Sequence, residues 1–214
     1  DAFFVAFKIP NFMRRWFAEG AFNQAFIPVL SEYATRGSKR EIRELLDAVA
    51  GSLFAVLALI TALAMFAAPW LVWLFAPGFG RDPAKLALTA DMLRLTFPYL
   101  LLISLTAFAG SVLNTWNRFA VPAFTPVLLN LSLIGAALLL TPLMSEPAMA
   151  LAWGVLIAGV AQLAFQVPFL VRLGLMPRPW PNLAHRGVRR ILVLMAPALF
   201  GVSVSQINLL LDTV

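Results

Sequence analysis

The first 33 residues, DAFFVAFKIPNFMRRWFAEGAFNQAFIPVLSEY, place Asp1, Lys8, Asn11, Arg14, Arg15, Glu19, Asn23 and Gln24 in a stretch otherwise apolar enough for lipid. A charged side chain at the centre of a bilayer costs at least ~2.5 to 3.5 kcal/mol on insertion scales, so several in one span require polar surroundings. At about 100° per residue, with Lys8 as zero, Asp1, Asn11, Arg15 and Glu19 fall within roughly 80° of arc, and Arg14 lies beside Asn11. One face of this helix is therefore expected to be wet. Pro10 deletes a backbone donor and predicts a kink, so the phase before it need not carry through to the residues after it. Geometry alone leaves open which of Arg14 and Arg15 points inward.

The chemistry these residues offer is anion binding. A guanidinium fork matches phosphate oxygens in pairs, so Lys8, Arg14 and Arg15 could hold an anionic head group, with pyrophosphate the natural candidate. The competing reading is mutual neutralisation inside the bundle, Arg15 with Glu19 at i,i+4 and Asp1 with Lys8. Arg14 has no carboxylate three or four residues away, so local pairing does not explain it.

A second polar set, Ser203, Ser205, Gln206, Asn208 and Asp212, ends the chain. Helix–helix hydrogen bonding competes there with a cation or proton site, in which oxygen ligands from Asp212 and Asn208 would suit sodium. Arg94 is expected to pair with Asp91 three residues earlier or to snorkel, and Asn114, Asn117 and Arg118 to cap a helix end. Enzyme chemistry finds little to work with. His185, the only histidine, lies in a basic loop without a carboxylate pair, cysteine is absent, and no Walker or Rossmann glycine spacing occurs.

The elements that must position these residues are membrane helices. The chain is 61% hydrophobic and 12% charged with a mean hydropathy of +0.87, and its apolar runs are too long for a soluble core. The fold class expected is all-α, a polytopic transmembrane bundle of about six spans. The 15 prolines and 12 glycines suit kinked or broken helices, and runs of about 20 residues exclude a transmembrane barrel.

One long helix is expected to about Tyr33. A second, with Ser38 and Glu41 as capping box, should end at Pro77-Gly78 after an interfacial cluster of Trp70, Trp73 and Phe75. A third is capped by Asp82-Pro83 and runs through Pro98 to near Leu113; a fourth opens around Pro122 and Pro126 and ends near Thr141-Pro142. A fifth, capped by Ser145, runs through Val171. The proline-rich basic segment RLGLMPRPWPNLAHRG follows, and a sixth helix begins near Val188.

The turns at 36 to 43, at 118 and at 172 to 190 hold ten Lys/Arg residues against two, Arg81 and Lys85, in the alternate turns, which places the first group in the cytoplasm. Both termini fall within apolar helical sequence, so the complete protein is expected to be longer, with at least one helix upstream. No internal repeat is evident.

The runs DAFFVAFKIPNFMRR and FAEGAFNQAFIPVLSEY, then FPYLLLISLTAFAGSVLNTWNRFAVPAFTPVLLN and GVSVSQINLLLDTV, occur in the order found in the MurJ (MviN) family of lipid II flippases, which the chain resembles over nearly its whole length. That family belongs to the multidrug/oligosaccharidyl-lipid/polysaccharide exporter superfamily. The resemblance implies a fourteen-helix transporter of two lobes. Residues 1–175 would form most of the first lobe, 176–187 a basic cytoplasmic linker, and 188–214 the start of the second lobe. It further implies movement of lipid II from the inner to the outer leaflet of the bacterial inner membrane by alternating access, with lipid II, membrane lipids and the rest of the transporter as partners and no nucleic acid. Arg14, Asp1 and Asn11 would line the cavity, and the resemblance favours Arg14 over Arg15. A sodium site in the region that begins at the last helix is also implied.

The rival functions are a related exporter of polysaccharide precursors or drugs, and a membrane scaffold or polyprenyl-phosphate enzyme. A drug-cation exporter would line its cavity with carboxylates, an enzyme would need an acidic metal-binding cluster, and a scaffold would have a bundle free of deep polar residues.

Overall fold

The computed structural model describes residues 2–14, 20–76, 78–79 and 82–197, and among these every regular element is helical. The elements are α1 (Ala2–Arg14), α2 (Ala21–Arg36), α3 (Lys39–Phe66), α4 (Ala68–Phe75), α5 (Pro83–Thr96), α6 (Pro98–Thr115), α7 (Ala120–Gly135) and α8 (Pro147–Leu173). A π-helical turn, Ala136–Leu140, and a 3-10 turn, Thr141–Leu143, extend α7, and a last helix, α9, covers residues 186–197. Among the described residues, four stretches are long and apolar enough to cross a membrane: Lys39–Phe66, Pro83–Thr115, Ala120–Leu143 and Pro147–Leu173.

The expected single helix from Asp1 to Tyr33 is two helices with a bend at Gly20, since glycine has the least to lose by leaving helical geometry. The expected second helix is likewise α3 and α4, parted at Ala67. The third is α5 and α6, which meet at Phe97 just before Pro98. The capping box at Ser38 forms as expected, with Ser38 N donating to Glu41 Oε2 at 2.7 Å, and Asp82 Oδ1 accepts from Lys85 N at 3.1 Å. Ser145 does not cap α8; Glu146 holds that position without a side-chain bond.

Prolines inside these helices leave carbonyls without their ordinary donor four residues on, and side chains fill the gap. Pro10 frees the Ala6 carbonyl, which accepts from Thr96 Oγ1 of α5 at 3.2 Å, a hydroxyl shared with Leu93 O at 3.4 Å. Pro69 frees the Met65 carbonyl, which accepts from Arg94 Nε at 3.3 Å. Pro126 frees the Pro122 carbonyl, which accepts from Thr125 Oγ1 at 2.8 Å. Helix α5 thus stitches both α1 and the α3–α4 junction, and Arg94 also pairs with Asp91 at 2.8 Å as expected. Thr96→Val should cost about 1 kcal/mol by leaving Ala6 O unpaired in a buried place, while Thr96→Ser should not. Thermal unfolding of the two variants checks this; equal midpoints would show that the carbonyl needs no donor.

Packing follows membrane rules, in which close approach replaces the hydrophobic drive. Gly159 of α8 admits Tyr99 and Leu102 so closely that a Cβ there would lie 2.9 Å from each. Outward-facing Leu59, Leu63, Phe66, Leu138 and Leu139 are exposed, as are Trp70 and Trp73 of α4.

The core has two ends. Phe26, Leu30, Leu45, Leu46, Val112, Leu113, Leu170 and Ile191 pack at one, and Ala6, Leu57, Val72, Met92, Leu93 and Phe97 at the other. The first end gathers the basic turns. Arg43 Nε donates to Gly174 O at 3.1 Å, Arg190 pairs with Glu32 at 2.6 Å, and Arg178 N donates to Asp47 Oδ1 at 2.6 Å. The segment from Gly174 to α9 is therefore a strap lying along α3, with Asn182 N donating to Ser52 Oγ at 3.3 Å. His185 Nδ1 accepts from Gly187 N at 3.1 Å and so caps α9, a loop role without catalytic partners.

Candidate functional site

Helix α1 buries Ala2, Ala6, Ile9 and Pro10, and turns Lys8, Asn11 and Arg14 the other way, the two-faced pattern its spacing predicts. Lys8 is exposed, and Asn11 and Arg14 are partly buried. Arg14 Nε donates to Asn11 Oδ1 at 3.0 Å, one turn back. That bond steadies the guanidinium against the preceding turn of α1.

Arg14 lines a cavity of ≈ 230 Å³ between α1, α2, α6, α7 and α8. The other walls carry the uncharged polar side chains of Asn23, Thr106, Ser111, Asn114, Gln162 and Gln166 among apolar ones such as Ile103, Pro126 and Leu129. Ser111 Oγ donates to Asn23 Oδ1 at 2.8 Å and Gln162 Nε2 to the Thr125 carbonyl at 2.9 Å, so the walls are tied to one another across helices. No carboxylate lines the cavity among the described residues. A larger cavity of ≈ 380 Å³ lies at the basic end, between Glu32, Arg36, Glu41, Arg186 and Arg190. Its exposed charges mix both signs, and the Glu32–Arg190 pair spans it, so it selects no ligand charge.

Of the residues the sequence singled out, the structure joins Asn11 and Arg14, but of Lys8, Asn11 and Arg14 only Arg14 lines the cavity. Asp1, Arg15, Glu19, Asn208 and Asp212 lie outside the described residues. Asn114, expected as a helix cap, lines the cavity instead, while Asn117 takes the turn with a positive φ of 58°. Gln162 and Gln166 went unnoticed in the sequence. Two amides spaced i,i+4 in an otherwise apolar span were the available signal, because that spacing puts both on one face.

The family model for "Lipid II flippase MurJ" matches residues 1–214. The chain belongs to the MurJ family. The probable lipid II flippase MurJ of Haemophilus influenzae is 47% identical over 221 residues, which take in 100% of this chain and 43% of that protein. The lipid II flippase MurJ of Burkholderia cenocepacia is 42% identical over 217 residues, again 100% of this chain and 42% of that one. A solved MurJ structure in an inward closed conformation superposes with a TM-score of 0.79 at 28% identity, covering 99% of this chain and 43% of the other. This chain thus spans somewhat over two fifths of the length of its MurJ relatives, and it shares with them a polytopic helical membrane fold.

Proposed function

We propose that this chain is part of a transporter, not an enzyme, that moves lipid II, an undecaprenyl-pyrophosphate-linked peptidoglycan precursor, from the inner to the outer leaflet of the bacterial inner membrane by alternating access. The observation that carries the reading is Arg14, held by Asn11 on the wall of a polar cavity free of carboxylates among the described residues, in a chain of the MurJ family. A fixed guanidinium in such surroundings suits phosphate oxygens, and exposed Lys8 on the same helix adds positive charge along an entry route. Asp1, Arg15 and Glu19 would complete the polar face. The polyprenyl tail stays in lipid while the head group rides in the cavity.

In this reading residues 1–175 make up most of one lobe, 176–187 a cytoplasmic connection and 188–214 the start of the next lobe. Two negative charges leaving an inside-negative cell gain about 2.3 kcal/mol each per 100 mV, enough to drive the movement outward. The absence of carboxylates among the described cavity residues weighs against the export of cationic drugs. Native mass spectrometry of the full-length protein tests the substrate directly: retention of lipid II above bulk phospholipid is expected, and equal retention would count against it.

Orientation is tested by single cysteines. Ser38→Cys and Arg178→Cys should resist a membrane-impermeant thiol reagent in intact cells, whereas Ala84→Cys should react; labelling at Ser38 from outside would reverse the direction of transport. A reset between half-cycles by sodium at Asp212 and Asn208 belongs to the same proposal, supported by Asp212 being the only carboxylate in residues 191–214. Asp212→Asn should lose the sodium dependence of inward-to-outward conversion, and an unchanged dependence would leave Asp212 a packing residue.

A further inference from the structure

Two side chains of α8 have polar atoms that packing leaves unused. Gln162 and Gln166, one turn apart, are 2% and 1% exposed, and neither Oε1 has a hydrogen-bond partner. Buried polar atoms ordinarily find partners, and the two side chains that carry these oxygens line the cavity. Gln162 Nε2 is held by the Thr125 carbonyl at 2.9 Å, which fixes that amide in place. On the facing wall Gly110 contributes no side chain. A Cβ built there would stand 3.7 Å from Gln166 Oε1 and 3.1 Å from Pro122 Cβ, so its absence keeps the approach to the amide open.

The lining tells what kind of group belongs there. Among the described residues its cation is Arg14, at one side, and no carboxylate is present to hold a second cation. The remaining polar groups are uncharged amides and hydroxyls on α2, α6, α7 and α8, which both donate and accept and so match a neutral group rich in O–H and N–H groups. At ≈ 230 Å³ the cavity is smaller than the roughly 300–1,000 Å³ that encloses a whole drug-sized ligand, so it takes a portion of a larger one.

We propose that this wall is a subsite for the uncharged sugar and N-acyl portion of the head group, with Gln162 and Gln166 accepting hydrogen bonds from its hydroxyl or amide groups beside the phosphates at Arg14. The assignment rests on the head-group reading of Arg14 given above. It makes Gln166 and Gln162 determinants of specificity: they distinguish a glycosylated pyrophosphate lipid from a bare one, whereas Arg14 serves both.

The experiment measures binding of lipid II and of sugar-free undecaprenyl pyrophosphate to the full-length protein in nanodiscs. Gln166→Leu should weaken lipid II about tenfold, as expected for lost hydrogen bonds, and leave undecaprenyl pyrophosphate unchanged. Gly110→Ala keeps both amides, suits a helix, and narrows the same pocket from the other side; it should weaken lipid II alone by a smaller factor. Arg14→Ala should weaken both lipids. Equal losses for the two lipids in Gln166→Leu and Gly110→Ala, or no loss for either, overturn the subsite. A discriminating Gln166→Leu alongside an Arg14→Ala that binds both lipids normally overturns the phosphate role of Arg14 and supports the subsite.

Discussion

Arg14→Ala in the full-length protein is expected to abolish growth in cells that depend on it, at normal expression and membrane insertion. The substitution removes the cation from the cavity wall and leaves Asn11 Oδ1 without its donor at 3.0 Å. Hydrogen bonds to charged groups contribute about 1.5–3 kcal/mol each, so losing the proposed two-pronged phosphate contact should lower transport by a factor on the order of a hundred or more. Arg14→Lys keeps the charge, loses the fork, and should restore only a small part of the activity. Arg40→Ala is the control, since Arg40 pairs with Glu44 on an exposed turn at 2.7 Å and should be silent. Arg15→Ala is expected to be milder than Arg14→Ala. Growth with Arg14→Ala but not with Arg15→Ala would move the phosphate contact to the neighbouring arginine.

Gly51→Val should release the strap from α3. A Cβ at Gly51 would meet the Trp180 carbonyl carbon at 2.2 Å and Pro181 N at 2.5 Å, and both are backbone atoms that cannot swing aside as a side-chain tip would. Relief requires the strap to lift, which breaks the bonds from Asn182 N to Ser52 Oγ and from Arg178 N to Asp47 Oδ1. A cost of about 1–3 kcal/mol follows for overpacking of this kind, with faster tryptic cleavage at Arg186, where the strap joins α9. Gly78→Ala, where a Cβ meets nothing within 4 Å, is the matched control. An unchanged unfolding midpoint together with unchanged cleavage in Gly51→Val would mean that the strap is not held where it lies.

Much of this was legible in the residues. The capping box at Ser38 and Glu41, the Asp82-Pro83 start and the Asp91–Arg94 pair are local patterns, and local patterns can be read without knowing what packs on them. The side of α1 that carries Lys8, Asn11 and Arg14 was legible in part, because a buried stripe of Ala2, Ala6, Ile9 and Pro10 leaves them the rest of the helix, while Asp1, Arg15 and Glu19 lie outside the described residues. The breaks at Gly20, Ala67 and Phe97 were hidden, since an apolar run stays apolar through a bend and hydropathy does not register it. The partners that repair the proline gaps were hidden too. Thr96 and Arg94 reach carbonyls 90 and 29 residues away, and no spacing rule connects them. The amides Gln162 and Gln166 escaped because neutral groups cost less in a span than charges and so stand out less, although their buried, unpartnered Oε1 atoms make them the more telling pair.

Fluorescent lipid II movement in proteoliposomes of the full-length protein, followed under an imposed inside-negative potential, tests the central claim most directly. Expected are transfer from the inner to the outer leaflet that speeds up with the potential, and none above background for Arg14→Ala. Failure of the wild-type protein to move lipid II, with transport of a cationic drug in its place, would contradict the claim.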